Sequence, residues 1–287
     1  MNITVLGSGG NFPTPMPTCG CRVCVEARER GPPYARCGNS LFVHDANLLV
    51  DTPELVWHSL SREGIDAVDY IFLSHFHADH TLGLRTVQSL GAEEPPLTDF
   101  VGEVPTLLMS PVTHERAIEA NTVLGHLTET WADIELLADG DSRTIGGVEL
   151  THRSAPIQAG GERAISALLL EDGSRRIYIS PDENRHLDLG SLPELDLWVK
   201  EAGYFVESPN GDRLVTEAAE RNALAGEMCF EESLAQVRQV QPARAMFTEL
   251  EELYRRSYDD YRALARRLTE REAFDVAFAH DGMTLSV

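Results

Sequence analysis

Three imidazoles and a carboxylate fall within six positions of this chain, at His75, His77, Asp79 and His80. Neutral imidazole and carboxylate are the usual ligands of zinc and of similar divalent ions. An apolar run, Tyr70-Ile71-Phe72-Leu73, precedes the cluster and reads as a buried strand. The stretch Thr81 to Gly91 follows with a helical pattern and a glycine where a C-cap would fall. The four side chains therefore sit on a strand-to-helix turn. Alternation in a short extended loop aims His75 and His77 the same way, while Asp79 and His80 aim at a neighbouring point. A polar surface turn would not need this spacing.

A second group with metal-binding chemistry is Cys19, Cys21, Cys24 and Cys37, spaced C-x-C-x2-C-x12-C. In a cytoplasmic chain such spacing points to metal rather than to disulfides. A tetrahedral thiolate zinc would staple a loop that has little core of its own. Cys229 stands alone and is expected to be core. His114 and His126 also stand alone and are expected on helix faces or in solvent.

His75-x-His77-x-Asp79-His80 resembles the HxHxDH signature of the metallo-β-lactamase superfamily. The likeness extends in order through Leu6-Gly7-Ser8-Gly9-Gly10, Leu49-Val50-Asp51-Thr52, Tyr178-Ile179-Ser180-Pro181-Asp182 and Asp281-Gly282-Met283. With its early Cys-x-Cys-x2-Cys insertion, the chain is most similar to the cyclic-phosphate phosphodiesterase branch of phosphonate degradation. The resemblance implies two adjacent metal positions. The first would use His75, His77 and a later histidine. The second would use Asp79, His80 and a histidine near the C-terminus, with Asp182 bridging both and a metal-activated water as nucleophile. It also implies that Gly7–Gly10 lies near the active-site mouth, that Asp51 sits beneath the motif, and that the 91–104 loop rims the pocket.

Three expected histidines are missing. None occurs at Pro156-Ile157-Gln158, where the nearest imidazole is His152, upstream. Glu249 follows Phe247-Thr248 where the family has its C-terminal histidine, and Glu227 stands near the position of a histidine that assists the leaving group. The family's fourth ligand to the cysteine zinc falls close to Glu252, which leaves Cys37 as a replacement or the site weakened. The expected site is therefore His75, His77, Asp79, His80, Asp182 and Glu249 for one or two divalent ions (Zn, Mn or Fe). Asp79, Asp182 and Glu227 are the expected catalytic residues, and Cys19, Cys21, Cys24 and Cys37 the ligands of one structural Zn.

These residues need a scaffold. Strands are expected at 2–7, 40–45, 47–51, 69–74, 105–109, 195–199 and 243–248, with 40–45 and 47–51 forming a hairpin turning at Asp45-Ala46. Thr52-Pro53-Glu54 reads as a helix start ending near Gly64, Ser110-Pro111 as another, and Ser257-Tyr258-Asp259-Asp260 as a capping box for a helix to about Thr269. A further helix is expected at 232–237. Residues 133–151 and 164–180 alternate and read as a second sheet. Strands with interleaved helices in both halves fit an α/β fold, a four-layer αββα sandwich, with residues 1–287 as one metallo-hydrolase domain and the Cys-rich insertion at about 19–37.

Composition narrows the function. The chain has 287 residues, 43% of them hydrophobic, and carries 46 Asp and Glu against 24 Lys and Arg, a net charge of −22. Lys200 is its only lysine. Such a surface repels phosphate backbones and offers no basic stripe, so nucleic acid is disfavoured as a partner and a small-molecule substrate is expected. No run reaches the ~18 apolar residues of a membrane span, and Met1-Asn2-Ile3-Thr4-Val5 lacks a basic-then-apolar leader, so a cytoplasmic protein without a membrane partner is expected. A homodimer is compatible with this reading. The expected activity is metal-dependent hydrolysis of a small, possibly cyclic, phosphodiester. The alternatives are a carboxylic-ester or thioester hydrolase, and a non-catalytic metal-binding relative.

Overall fold

The computed structural model describes residues 1–287. Its first half forms β1 (Asn2–Gly7), β2 (Ser40–Val43), β3 (Leu48–Val50), β4 (Tyr70–Leu73), β5 (Thr106–Met109), β6 (Asp133–Leu136) and β7 (Ser142–Ile145). The second half adds β8 (Val148–Pro156), β9 (Arg163–Glu171), β10 (Arg176–Ser180), β11 (Leu197–Glu201), β12 (Arg244–Thr248), β13 (Asp275–Phe278) and β14 (Thr284–Ser286). These strands build two seven-stranded sheets, in the orders β14-β1-β2-β3-β4-β5-β6 and β13-β12-β11-β10-β9-β8-β7.

Side-chain parity then sets the layers. Phe72, Leu108, Ile177, Ile179, Leu197 and Val199 point between the sheets into one apolar core. Their neighbours Ile71, Leu73, Leu107 and Met109 face outward, against Val56, Leu60, Leu124, Leu127 and Trp131. On the other side Tyr178, Trp198, Ala245 and Phe247 meet Phe230, Leu234, Val237 and Tyr261. The result is the αββα sandwich. No helix is long and apolar enough to cross a membrane.

Several local expectations hold. Ser110 caps the helix that opens at Pro111, and Ser257 makes a capping box with Asp260 at the start of the helix Tyr258–Thr269. The β2–β3 hairpin turns through His44–Ala46. Three other expectations are corrected. The 133–151 segment divides: β6 pairs in parallel with β5 in the first sheet, because the helix Thr122–Trp131 returns the chain to the sheet it left. The helix after Thr52 starts only at Val56, since the Thr52 backbone is committed elsewhere: its N–H donates to the His80 carbonyl and its own carbonyl accepts from Gly83. The 81–91 segment is not one helix but Ala78–Thr81, a 3-10 stretch Leu82–Thr86 and Val87–Leu90. A Cβ on Gly83 would lie 1.9 Å from the Pro53 carbonyl oxygen, so only glycine permits this contact.

β3, β4, β5 and β6 run parallel, as do β10, β11, β12 and β13. Ligand sites in such sheets form beyond the carboxyl ends of the strands. Asp51 follows β3, Ser74 to His80 follow β4, Asp182 follows β10, Glu201 ends β11, and Glu249 follows β12. The two sheets are tied together at this end, where the Ser166 N–H donates to the Ser74 carbonyl at 2.8 Å.

Candidate active site and metal centre

The site rests on Asp51. One carboxylate oxygen accepts from the Ser74 N–H at 2.7 Å. The other accepts from Ser74 Oγ at 2.7 Å and faces His80 Nδ1 at 2.8 Å. Ser74 Oγ has thus used its proton, so His75 Nδ1, 3.0 Å away, must donate to it. Both imidazoles are thereby oriented through Nδ1, and both leave Nε2 facing Asp182. Asp51 reaches this position from a left-handed backbone, at φ 60°. Glu183 and Glu249 share that conformation, at φ 55° and 58°, each just beyond a parallel strand.

Two ligand clusters follow, with ligand atoms inside each lying within 4.8 Å of one another: His75, His77 and Asp182, and Asp79, His80 and Glu249. Asp182 Oδ2 is 3.6 Å from His75 Nε2 and 3.6 Å from His80 Nε2, so it joins the two. His80 Nε2 also lies 3.6 Å from Asp79 and 3.7 Å from Glu249. The Nε2 atoms of His75 and His80 and Oε1 of Glu249 are buried with no hydrogen-bond partner. Buried polar atoms without partners are rare, and convergent nitrogen and carboxylate donors in this state fit a divalent cation. The electrostatics agree. Burial and the neighbouring His80 and His77 hold His75 well below the usual histidine range. Burial also opposes a charge on His80, but Asp51, Asp182 and Glu249 outweigh it and hold His80 well above that range. Burial raises Asp182, where His80 works against it and Glu201 with it. Burial and Asp182 likewise raise Glu249. His75 thus already favours its neutral, ligating form, and a bound cation would favour the deprotonated forms of His80, Asp182 and Glu249.

The clusters lie at the floor of a pocket of about 820 Å³. The 91–104 loop does not line it. The walls come from Asn11 and Phe12, from Gly203 to Met228, and from Glu249 to Arg255. Gly10 confirms that the N-terminal turn reaches this mouth: a Cβ there would come 2.2 Å from Glu249 Oε2. Glu227 is on the wall, its carboxyl raised by burial and by Glu201. Sequence reasoning did not find Glu201, which is 4% exposed and accepts the N–H groups of Glu183 and Asn184, fixing the turn after Asp182. Its signal was the same as that of Asp51: an acid immediately after, or ending, a buried apolar strand.

No imidazole replaces the missing one of the first cluster. His152 is buried and satisfied on both nitrogens, by the Ala138 carbonyl and by Ser166 Oγ, each at 2.8 Å. His126 is exposed on its helix and His114 faces Glu119. Cys229 is the N-cap of the helix Phe230–Val240.

The cysteine site needs a correction. Cys19, Cys21 and Cys24 converge with Glu252, not with Cys37. Cys21 Sγ is 2.8 Å from Glu252 Oε1 and caps the helix Arg22–Arg30, which carries Cys24 in its first turn. Cys37 is turned away because Arg36, its neighbour in an extended segment, points its guanidinium at the Leu250 and Arg256 carbonyls. Alternation sends the Cys37 thiol to the opposite side, toward Arg62 at 3.8 Å, where burial and Asp281 push it up. Among the three converging thiols, hydrogen bonds from the Cys21 backbone and from Arg255 lower Cys19 to about 7, whereas burial pushes Cys24 up to about 12.

Comparison with known proteins decides the family. A profile described as Beta-lactamase superfamily domain matches residues 44–248. The chain belongs to the metallo-β-lactamase superfamily. Ribonuclease Z of Halorubrum lacusprofundi is 28% identical over 164 residues, a match covering 54% of this chain and 45% of that protein, so less than half of the relative is spanned. Among solved structures, a diphosphatase from the PhnP family superposes with a TM-score of 0.68 at 21% identity, covering 100% of this chain and 97% of that one. Zinc-bound PqqB from Methylobacterium extorquens gives 0.71 at 17% identity over 100% of both chains. Human tRNase Z, short form, gives 0.63 at 13% identity over 100% of this chain and 99% of that one. At these identities the structures show the shared fold.

Proposed function

We propose that this superfamily member is a metal-dependent phosphodiesterase for a small substrate. The observation that carries the reading is Asp182, whose Oδ2 stands 3.6 Å from the free Nε2 of both His75 and His80 at the floor of the pocket. His75, His77 and Asp182 would hold one divalent ion, and Asp79, His80, Asp182 and Glu249 a second. Bound there, the metal supplies a Lewis acid for the phosphoryl oxygen and lowers the pKa of a water. The chain itself does the rest. Asp51 and Ser74 fix the two imidazoles, Glu201 holds the turn that presents Asp182, the apolar wall excludes water, and Glu227 meets the departing group. Names of two relatives, a ribonuclease and a diphosphatase, support chemistry at phosphorus. The net charge of −22 argues for a small substrate rather than a polynucleotide.

The test is elemental analysis of the purified protein together with turnover of bis(p-nitrophenyl) phosphate after reloading with manganese or zinc. Turnover that requires metal and vanishes in Asp79→Ala and His80→Ala, with the fold intact by circular dichroism, is expected. Turnover surviving in the doubly substituted protein would place the chemistry elsewhere.

A further inference from the structure

The cavity over the metal floor is larger than a phosphodiester group needs. At about 820 Å³ it falls in the range that encloses a drug-sized ligand. Its side chains divide by chemistry. The acids keep to the floor: Glu183 and Glu251 lie close enough to Asp79 to feel its charge, and Glu227 lies as close to Glu201. The outer wall is apolar. Leu214, Val215 and Leu224 line it and stay half-exposed, and Phe12 and Leu253, at 37% and 41% exposure, line the same cavity. Exposed apolar residues scattered singly are ordinary, but these gather on one concave face. Polar recognition is scarce beside them. No Ser, Thr, Gln or Lys lines the cavity, and its one guanidinium, Arg255, is bound to Glu252. A sugar or a base is read by several directed hydrogen bonds, and a second phosphate by a free cation. The wall provides neither.

On the proposed hydrolase reading, we infer that the substrate's non-reacting arm is an uncharged, aryl-sized apolar group that packs against Leu214, Val215, Leu224, Phe12 and Leu253. The occupant follows from continuity. Wall and metal floor belong to one cavity, so an ester held at the floor by its phosphoryl group lays its other arm along the wall. These side chains, rather than the metal ligands, then set which phosphodiester is taken. They favour a singly charged ester with a hydrophobic arm over a nucleotide, a sugar phosphate or a diphosphate, whose polar groups would be buried there without partners.

The test uses the metal-loaded protein and three p-nitrophenyl phosphate diesters, whose second alcohol is methanol, benzyl alcohol or the 5′-hydroxyl of thymidine. They share the scissile bond and leaving group and differ in the arm. A ring of benzyl size gains on the order of 10–100-fold in affinity on leaving water. A kcat/KM at least about tenfold higher for the benzyl ester than for the other two, carried mainly by KM, is therefore expected. The advantage should shrink toward unity in Leu214→Ser combined with Leu224→Ser, and be kept in Leu224→Met. Parity among the three esters, or preference for the thymidine ester, overturns the inference. Calorimetry separates this from failure of the hydrolase reading. Benzylphosphonate should bind the metal-loaded protein at least about tenfold more tightly than methylphosphonate whether or not any ester is cleaved. Equal binding, or none, overturns the inference on its own, whereas tighter benzylphosphonate binding without turnover of any ester counts against the hydrolase reading alone.

Discussion

Asp51 Oδ2 lies 2.8 Å from His80 Nδ1, and both side chains are fully excluded from water. The same carboxylate holds the Ser74 N–H and hydroxyl, so one residue sets both imidazoles that lead the two ligand clusters. Such supporting contacts commonly carry 10–100-fold of metal affinity. Asp51→Asn keeps the size but cannot accept from all three donors. It is expected to lower metal affinity by about that factor. Asp51→Ala should additionally cost roughly 3 kcal/mol of stability, from the donors left unpaired. Metal titration and thermal melts of the two variants check both parts.

Cys21→Ser and Glu252→Gln should each remove about one equivalent of zinc and lower the melting temperature, whereas Cys37→Ser should leave zinc content unchanged. Elemental analysis decides between them. Loss of zinc in Cys37→Ser would restore the thiol as a ligand.

Glu249→His exchanges an oxygen donor for a nitrogen beside Asp79, Asp182 and His80. Nitrogen-rich sets suit zinc, and oxygen-rich sets suit manganese or magnesium. The variant is expected to gain zinc over manganese by about an order of magnitude in competition, and to move the activity optimum to lower pH, since one negative charge near the reacting water is gone. Unchanged metal preference would show that Glu249 is not a ligand.

Gly10→Ala probes the same carboxylate from outside. Its Cβ would stand 2.2 Å from Glu249 Oε2, so the Glu249 side chain must swing away. Expected is a loss of metal at the Glu249 cluster with little change in the melting temperature. Retained metal content would count against this geometry.

The metal-stripped protein should lose stability as pH rises. Burial raises Glu183 from the ordinary 4.5 to about 7, with Glu227 and Glu201 adding to it, and raises Glu251 to about 7, with Asp79 adding. An acid raised in the folded state stabilises it fully below the unfolded value. That contribution is lost between roughly pH 4.5 and 7, because the unfolded chain releases a proton the folded chain keeps. Melts of chelator-treated protein across this window should show the decline. Glu183→Gln with Glu251→Gln should flatten it, and a slope unchanged by the pair would refute the assignment.

The sequence made the first half of the site legible because its ligands are local: six consecutive positions on one turn. Asp182 and Glu249 could also be read, since each follows a strand at a place the family marks. The wall from Gly203 to Met228 could not. It contains little regular structure, and its acids are scattered singly through a chain already rich in acid. Glu252 and Cys37 show a different limit. Spacing admitted both, and the choice depended on which way an extended segment alternated, which the buried Arg36 decides. The placement of β6 likewise hung on where the helix Thr122–Trp131 returns the chain.

Asp51, Glu183 and Glu249 share one further property with a consequence for engineering. Each holds a left-handed backbone that a non-glycine residue adopts at a cost of about 1–3 kcal/mol. Glu183 and Glu249 line the pocket and Asp51 supports its imidazoles from below, so activity rather than packing dictates side-chain identity at all three. Selection for heat resistance alone should therefore drift toward glycine or asparagine at these positions and return a sturdier protein with no chemistry. The fold's durability and its catalytic competence are opposed at three nameable residues, and a thermostable variant worth keeping must gain its stability elsewhere.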